Sequence, residues 1–167
     1  MDRRRFLLTT GVGALAANLR GADAFARNRV AEENAKEGSR DWQLTRVRAD
    51  GGNFRSPWIE GYCSKQSVLA GETIDIMVSA NPARKFRLEF FRLGYYGGRG
   101  ARKMLELPSL AAEPQPTPKP GAKNLHECRW GVTHTLTIPA DWLSGVYLGR
   151  MTTIPEQSDE PYWQSYV

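Results

Sequence analysis

From residue 42 onward, apolar residues recur at every second position, in short runs broken by Gly, Pro, Asn and Asp. Ile74, Ile76 and Val78 share one face of such a run, and Phe86, Leu88 and Phe90 share one face of the next. Further on, Trp130, Val132, His134, Leu136 and Ile138 alternate with Gly131, Thr133, Thr135 and Thr137. A period of two puts these side chains on one side of an extended chain, so each run predicts a half-buried strand. Shorter extended pieces are expected at Trp42–Val47, Trp58–Tyr62, Arg102–Leu107, Val146–Leu148 and Tyr162–Val167. No segment between them keeps helical spacing for more than about two turns. Short strands separated by turn residues predict an all-β, antiparallel β-sandwich.

Two segments fall outside this pattern. Residues 27–41 are polar and charged with almost no large apolar side chain, and read as a flexible leader. Pro114, Pro116, Pro118 and Pro120 occupy alternate positions in Glu113–Gly121. Proline cannot donate to a sheet ladder, so this segment is no central strand. It reads as an extended polyproline-type loop between strands, or as a ligand for an aromatic groove.

The first residues change the picture of where the domain begins. Arg3, Arg4 and Phe6 fit a paired-arginine export pattern, a modestly apolar stretch runs to Leu19, and Ala24 and Ala26 form a small-x-small cleavage site. These features predict a twin-arginine signal peptide over residues 1–26. Its apolar part, about 14 residues, is short for the ~30 Å hydrocarbon core of a membrane. The expectation is therefore a periplasmic or extracellular protein without stable membrane insertion after cleavage. The mature part would comprise the leader and a sandwich over residues 42–167. Because Tyr162–Val167 is apolar to its last residue, the sequence also reads as cut within its final strand.

Charge adds little. The whole chain carries +5, and losing residues 1–26, with four Arg and two Asp, leaves +3. The arginines are dispersed and form no basic block, so no nucleic-acid partner is expected. The two cysteines, Cys63 and Cys128, are far apart in sequence. An oxidising destination and a sandwich fold leave open either a disulfide between them or two free thiols.

The stretch richest in candidate chemistry is "FFRLGYYGGRGAR", residues 90–102. Gly98-Arg99-Gly100 lacks the third glycine and the following helix of a dinucleotide site, and no P-loop lysine closes it. Its glycines suit a hairpin turn with no further role, or alternatively one on which Tyr95, Tyr96 and Arg99 would form a docking surface. His126, Glu127, Cys128 and His134 resemble metal ligands in type, but one extended strand would hold the two histidines more than ~20 Å apart. No metal site or catalytic residue is assigned. Trp58 and Trp142 join the tyrosines as candidate contact residues, for a protein partner or, alternatively, as stacking surfaces of a free-standing carbohydrate- or cell-surface-binding module.

Several motifs together resemble the N,N-dimethylformamidase large-subunit family. Glu60-Gly61-Tyr62, Ser67-Val68, Gly71-Glu72, Phe91–Gly98 and Trp142–Leu148 match its pattern, and the resemblance extends from about Trp42 to Val167. It implies an immunoglobulin-like domain that precedes a larger catalytic domain, where family members hydrolyse amides at an iron held by two tyrosines and a glutamate. Those ligands belong to the later domain and none maps onto a residue here. The resemblance thus implies no cofactor in this chain, iron only in a missing catalytic domain, and a partner that is that domain or another subunit.

Overall fold

The computed structural model describes residues 29–48 and 55–167. The export signal, with Arg3, Arg4, Phe6, Ala24 and Ala26, lies outside these residues. Seven strands are present among the described residues: β1 (Glu60–Cys63), β2 (Thr73–Ser79), β3 (Arg84–Leu93), β4 (Ala101–Ala112), β5 (His134–Thr137), β6 (Tyr147–Thr153) and β7 (Gln164–Tyr166). They form a three-stranded sheet in the order β1-β2-β5 and a four-stranded sheet in the order β4-β3-β6-β7. Every pairing within the sheets is antiparallel. The chain makes hairpins within a sheet (β1–β2, β3–β4, β6–β7) and crosses between sheets after β2, β4 and β5, the connectivity of an immunoglobulin-like sandwich.

The alternation seen in the sequence builds the core. Ile76 and Val78 of β2 and Leu136 of β5 face Phe86, Leu88 and Phe90 of β3 and Met151 of β6, with Ile59 closing one side. Each fully buried Leu, Ile or Phe of this kind contributes about 1.5–3 kcal/mol. At the entry to β6, Tyr147 donates its hydroxyl to the Leu143 carbonyl four residues upstream at 2.6 Å. This is the tyrosine corner of immunoglobulin-like sandwiches. Trp142 stacks on the Tyr147 ring at 4.6 Å and leans on Phe90 at 6.2 Å.

Three strand expectations change. β4 runs on past Pro108 to Ala112, because it is an edge strand and Pro108 falls in a bulge between the Phe86–Leu110 and Leu88–Leu107 pairs. The long Thr-rich run forms a ladder only over His134–Thr137. Residues 42–47 are not a strand.

Instead, the leader is part of the fold. Residues 29–34 are helical, and the chain then crosses the outer face of the four-stranded sheet. Ser39 bridges Ala101 at the start of β4, Arg150 of β6 donates to the Asp41 carbonyl, and Tyr166 of β7 donates to the Trp42 carbonyl at 2.6 Å. Gln164 binds the Arg46 carbonyl through its backbone and Thr45 through its side chain, at 2.9 and 2.8 Å. The strap covers what alternation places on the outward side of β3. Phe91 is fully buried although it belongs to no part of the inner core. Beside it, Glu89 is 2% exposed and receives Lys103 at 2.9 Å and Arg150 at 2.5 Å. The flexible leader expected over residues 27–41 is therefore corrected from residue 29 onward. A polar sequence can order when its partners are buried charges and carbonyl groups, with no need of an apolar stripe.

The cysteines are both free thiols. Cys63 packs against the core, whereas its neighbour Tyr62 points the other way and donates its hydroxyl to the Cys128 carbonyl at 3.1 Å. Adjacent strand residues face opposite sides of a sheet, so Cys128 lies by the face that Cys63 turns away from. The disulfide left open by the sequence is not formed. Burial pushes the Cys63 thiol above its usual range.

Candidate functional site

The glycine-rich stretch is a hairpin. β3 ends at Leu93, a short 3₁₀ turn covers Tyr96–Gly98, and β4 begins at Ala101. Gly97, Gly98 and Gly100 have φ of 64°, 81° and 89°, which only glycine adopts without strain. Gly94 and Gly100 also let the leader approach. A Cβ on Gly94 would collide with Asn34 Oδ1, and one on Gly100 would meet the Trp42 ring at 3.1 Å.

The two tyrosines of this turn have different fates. Tyr95 is 71% exposed, and its backbone N–H donates to Asn34 Oδ1 at 3.0 Å. Tyr96 is 1% exposed and faces inward. It is removed from the docking residues, because its hydroxyl is used up inside the molecule. That hydroxyl donates to Glu33 Oε1 and accepts from Arg92 Nη1, both at 3.0 Å. Arg92 continues the network to the Ser144 carbonyl at 3.0 Å, which ties the hairpin to the loop before β6. Glu33 also receives Arg102 at 2.8 Å and Lys36 at 2.7 Å. Sequence reading missed Glu33, since one glutamate among three in a polar leader carries no pattern. The signal was in its partners, an Arg-Tyr pair four residues apart at a turn.

Burial alone would raise the Glu33 carboxyl, but the bonds from Lys36, Arg102 and Tyr96 outweigh it and lower the pKa to about 2. A group held below its unfolded value stabilises the fold above that value, about 4.3 for glutamate, and ceases to do so as pH falls through the folded value. Wild-type stability is thus expected to drop between about pH 5 and pH 2. The gap in melting temperature between wild type and Glu33→Gln should be widest above pH 5 and close on acidification. A gap unchanged from pH 7 to pH 3 would contradict this account.

Tyr95, Arg99 and Val146 remain at the surface of this end. Val146 is 61% exposed, and its carbonyl accepts from Leu93 N at 2.9 Å, which places it next to the hairpin. Trp142 lies near this end but uses its rings internally, stacked on Tyr147. Trp58 is elsewhere. It stacks on Trp163 at 5.7 Å, and the guanidinium of Arg84, the first residue of β3, lies 4.8 Å from its ring centre. Nine residue steps along β3 separate Arg84 from Leu93, roughly 30 Å at ~3.3 Å each. The candidate residues therefore do not form one surface. Around Trp58, Arg48 and Arg46 lean on Trp163, and Arg84 is paired with Glu160 at 2.8 Å.

No group of three His, Cys, Asp or Glu able to hold a metal occurs among the described residues. His126 lies in a loop, 3.3 Å from the Pro118 carbonyl, while His134 pairs with Ile76 in the sheet. A tyrosine–glutamate contact does exist, Tyr96 with Glu33, but Arg92, Arg102 and Lys36 surround it. Three cations make it a poor place for a metal ion. No described helix is long and apolar enough to cross a membrane.

Comparison with known proteins adds one relation. Residues 87–163 match the family model described as N,N-dimethylformamidase beta subunit-like, C-terminal. The matched span includes the glycine hairpin, the tyrosine corner and the start of the closing strand region. It supports a relation of this part of the chain to the dimethylformamidase-like proteins. No curated protein and no solved structure matches the chain.

Proposed function

We propose that this chain is a non-catalytic, immunoglobulin-like accessory domain of a dimethylformamidase-like protein, docking on a catalytic domain or partner subunit. The match over residues 87–163 supports the relation to dimethylformamidase-like proteins, and the exposed hairpin end supports the docking role. In this proposal the protein is exported by the twin-arginine route to the periplasm or beyond, and amide hydrolysis at iron belongs to another domain or subunit. The hairpin end is its contact surface. Tyr95, Arg99 and Val146 are exposed there on a turn whose shape is fixed from beneath by the Glu33–Tyr96–Arg92 network. A rigid support under an exposed aromatic and an arginine is what an energetically important contact needs.

The test uses the native protein, isolated from the cells that make it together with whatever accompanies it. Tyr95→Ala combined with Arg99→Ala is expected to weaken assembly by at least about tenfold, for two contact residues each worth ~1 kcal/mol or more. Because both side chains are exposed, the melting temperature of the isolated chain should stay within about 2 °C. Unchanged assembly and activity would sink the docking role. A native product with no further domain or subunit would sink the accessory reading as a whole.

A further inference from the structure

The proline ladder is laid against a ring cluster of the same chain. Residues 114–119 take no regular secondary structure, yet successive positions are individually held. Gln115 donates its N–H to Ser79 Oγ at 3.0 Å and accepts from Gly131 N through its side-chain oxygen at 3.2 Å. Trp130 Nε1 donates to the Pro116 carbonyl at 2.9 Å, and Arg55 Nη1 donates to Thr117 Oγ1 at 2.8 Å. The indole is itself fixed in place. Tyr62 lies 5.3 Å from it ring to ring and accepts its backbone N–H at 3.2 Å, while the Arg55 guanidinium sits 5.1 Å from the ring centre.

An indole N–H aimed at a carbonyl of a proline-rich strand, on an aromatic platform, is the chemistry by which polyproline segments are recognised. Such a ligand has few donors of its own and offers a row of carbonyl acceptors on a stiff backbone, so little entropy is lost when it docks. We propose that Tyr62, Trp130 and Arg55 form a polyproline-recognition groove. The chain's own segment 113–121 fills it in cis, and a proline-rich segment of a partner protein displaces that segment.

The way the segment is held makes it exchangeable. Pro114, Pro116 and Pro120 are exposed, so the prolines bury little of themselves. Behind the segment, a cleft of about 340 Å³ opens between Arg55, Ser79 and Asn81 on one side and Gln115 and Thr117 on the other. The middle of the segment is therefore fastened by separate hydrogen bonds across a partly open space, while its ends are held by backbone bridges from Glu113 to Ser79 and from Pro120 to His126. Segments with few buried contacts open most readily. An internal ligand of this kind lowers apparent affinity for an external one by the fraction of time that the groove is free.

The experiment compares the wild-type chain with a variant in which Pro114, Pro116, Pro118 and Pro120 are all changed to Ser. The probe is a synthetic peptide of residues 113–121, followed through the NMR signal of the Trp130 indole N–H. The variant is expected to bind the peptide saturably and at least about tenfold more tightly than wild type. Adding Trp130→Phe to the variant, which keeps a ring but removes the N–H, should weaken binding again by about tenfold. A folded variant that takes up no peptide at millimolar concentration, or a wild type that binds equally well, overturns the proposal. In case the variant folds poorly, a second measurement uses Trp130→Phe alone. There the Gln115 and Gly131 amides should exchange their hydrogens at least about tenfold faster than in wild type. Unchanged exchange rates would overturn the groove as described.

Discussion

Glu89→Gln is expected to destabilise the sandwich by about 3–5 kcal/mol, the usual result of removing one member of a buried ion cluster. Glu89 stands on the outward side of β3, 2% exposed, with Lys103 on Oε1 and Arg150 on Oε2. Arg87 Nε lies 3.3 Å from the same carboxylate. Burial would push this carboxyl up, but the bonds from Arg150 and Lys103 and the charge of Arg87 outweigh it, so its pKa is lowered. Glutamine keeps the size and loses the charge. Arg150, itself 8% exposed and close to the Phe91 ring, would be left without its counter-ion. Urea unfolding of wild type and variant at pH 7 measures the difference. A loss below about 1 kcal/mol, typical of an exposed pair, would show that the cluster is not insulated from water. Arg87→Ala serves as the comparison. Its side chain is 42% exposed, and its removal should cost no more than about 1 kcal/mol.

The second large effect concerns the strap. A chain without residues 1–46 is expected to lose about 8 kcal/mol, from ~2 for each of two apolar rings uncovered and ~1 for each of four hydrogen bonds removed. Phe91 and Tyr96 would meet solvent, Tyr96 would lose Glu33, and the side chains of Arg150, Tyr166 and Gln164 would lose Asp41, Trp42 and Thr45. Small domains are stable by only about 5–15 kcal/mol, so the shortened chain should be close to unfolding at 25 °C. Thermal melts of the shortened and full chains decide the matter. Equal melting temperatures would mean that the strap rests on the sheet without supporting it.

How much of this the sequence reveals depends on whether a side chain faces the common core. Ile74, Ile76 and Val78 on β2, Phe86, Leu88 and Phe90 on β3 and Leu136 on β5 follow period two, and all pack in or against the core as their spacing requires. The strap follows no such rule. Glu33, Asp41 and Trp42 act through a carboxylate, a carbonyl and one ring, each meeting a residue at least 57 positions away. Nothing local marks such residues. Alternation also misleads at Phe91 and Tyr96, where a second covered face makes outward residues as buried as inward ones. The hairpin shape is legible from its glycines, whereas the choice between Tyr95 and Tyr96 is not, because it depends on a glutamate from the other end of the fold. Trp58 and Trp142 look like surface platforms until their ring partners, Trp163 and Tyr147, are placed beside them.

The free thiols have a consequence for how the molecule matures. With Cys63 turned into the core and Cys128 on the far side of its strand, the chain reaches its final shape without any oxidant. Its cross-strand fastening is ionic and hydrogen-bonded, carried by Glu33, Glu89 and their arginines. Such a domain can complete its folding where glutathione keeps sulfur reduced, and it needs no disulfide isomerase. The twin-arginine route proposed for it would carry it already folded, and this architecture places no redox step on either side of the crossing.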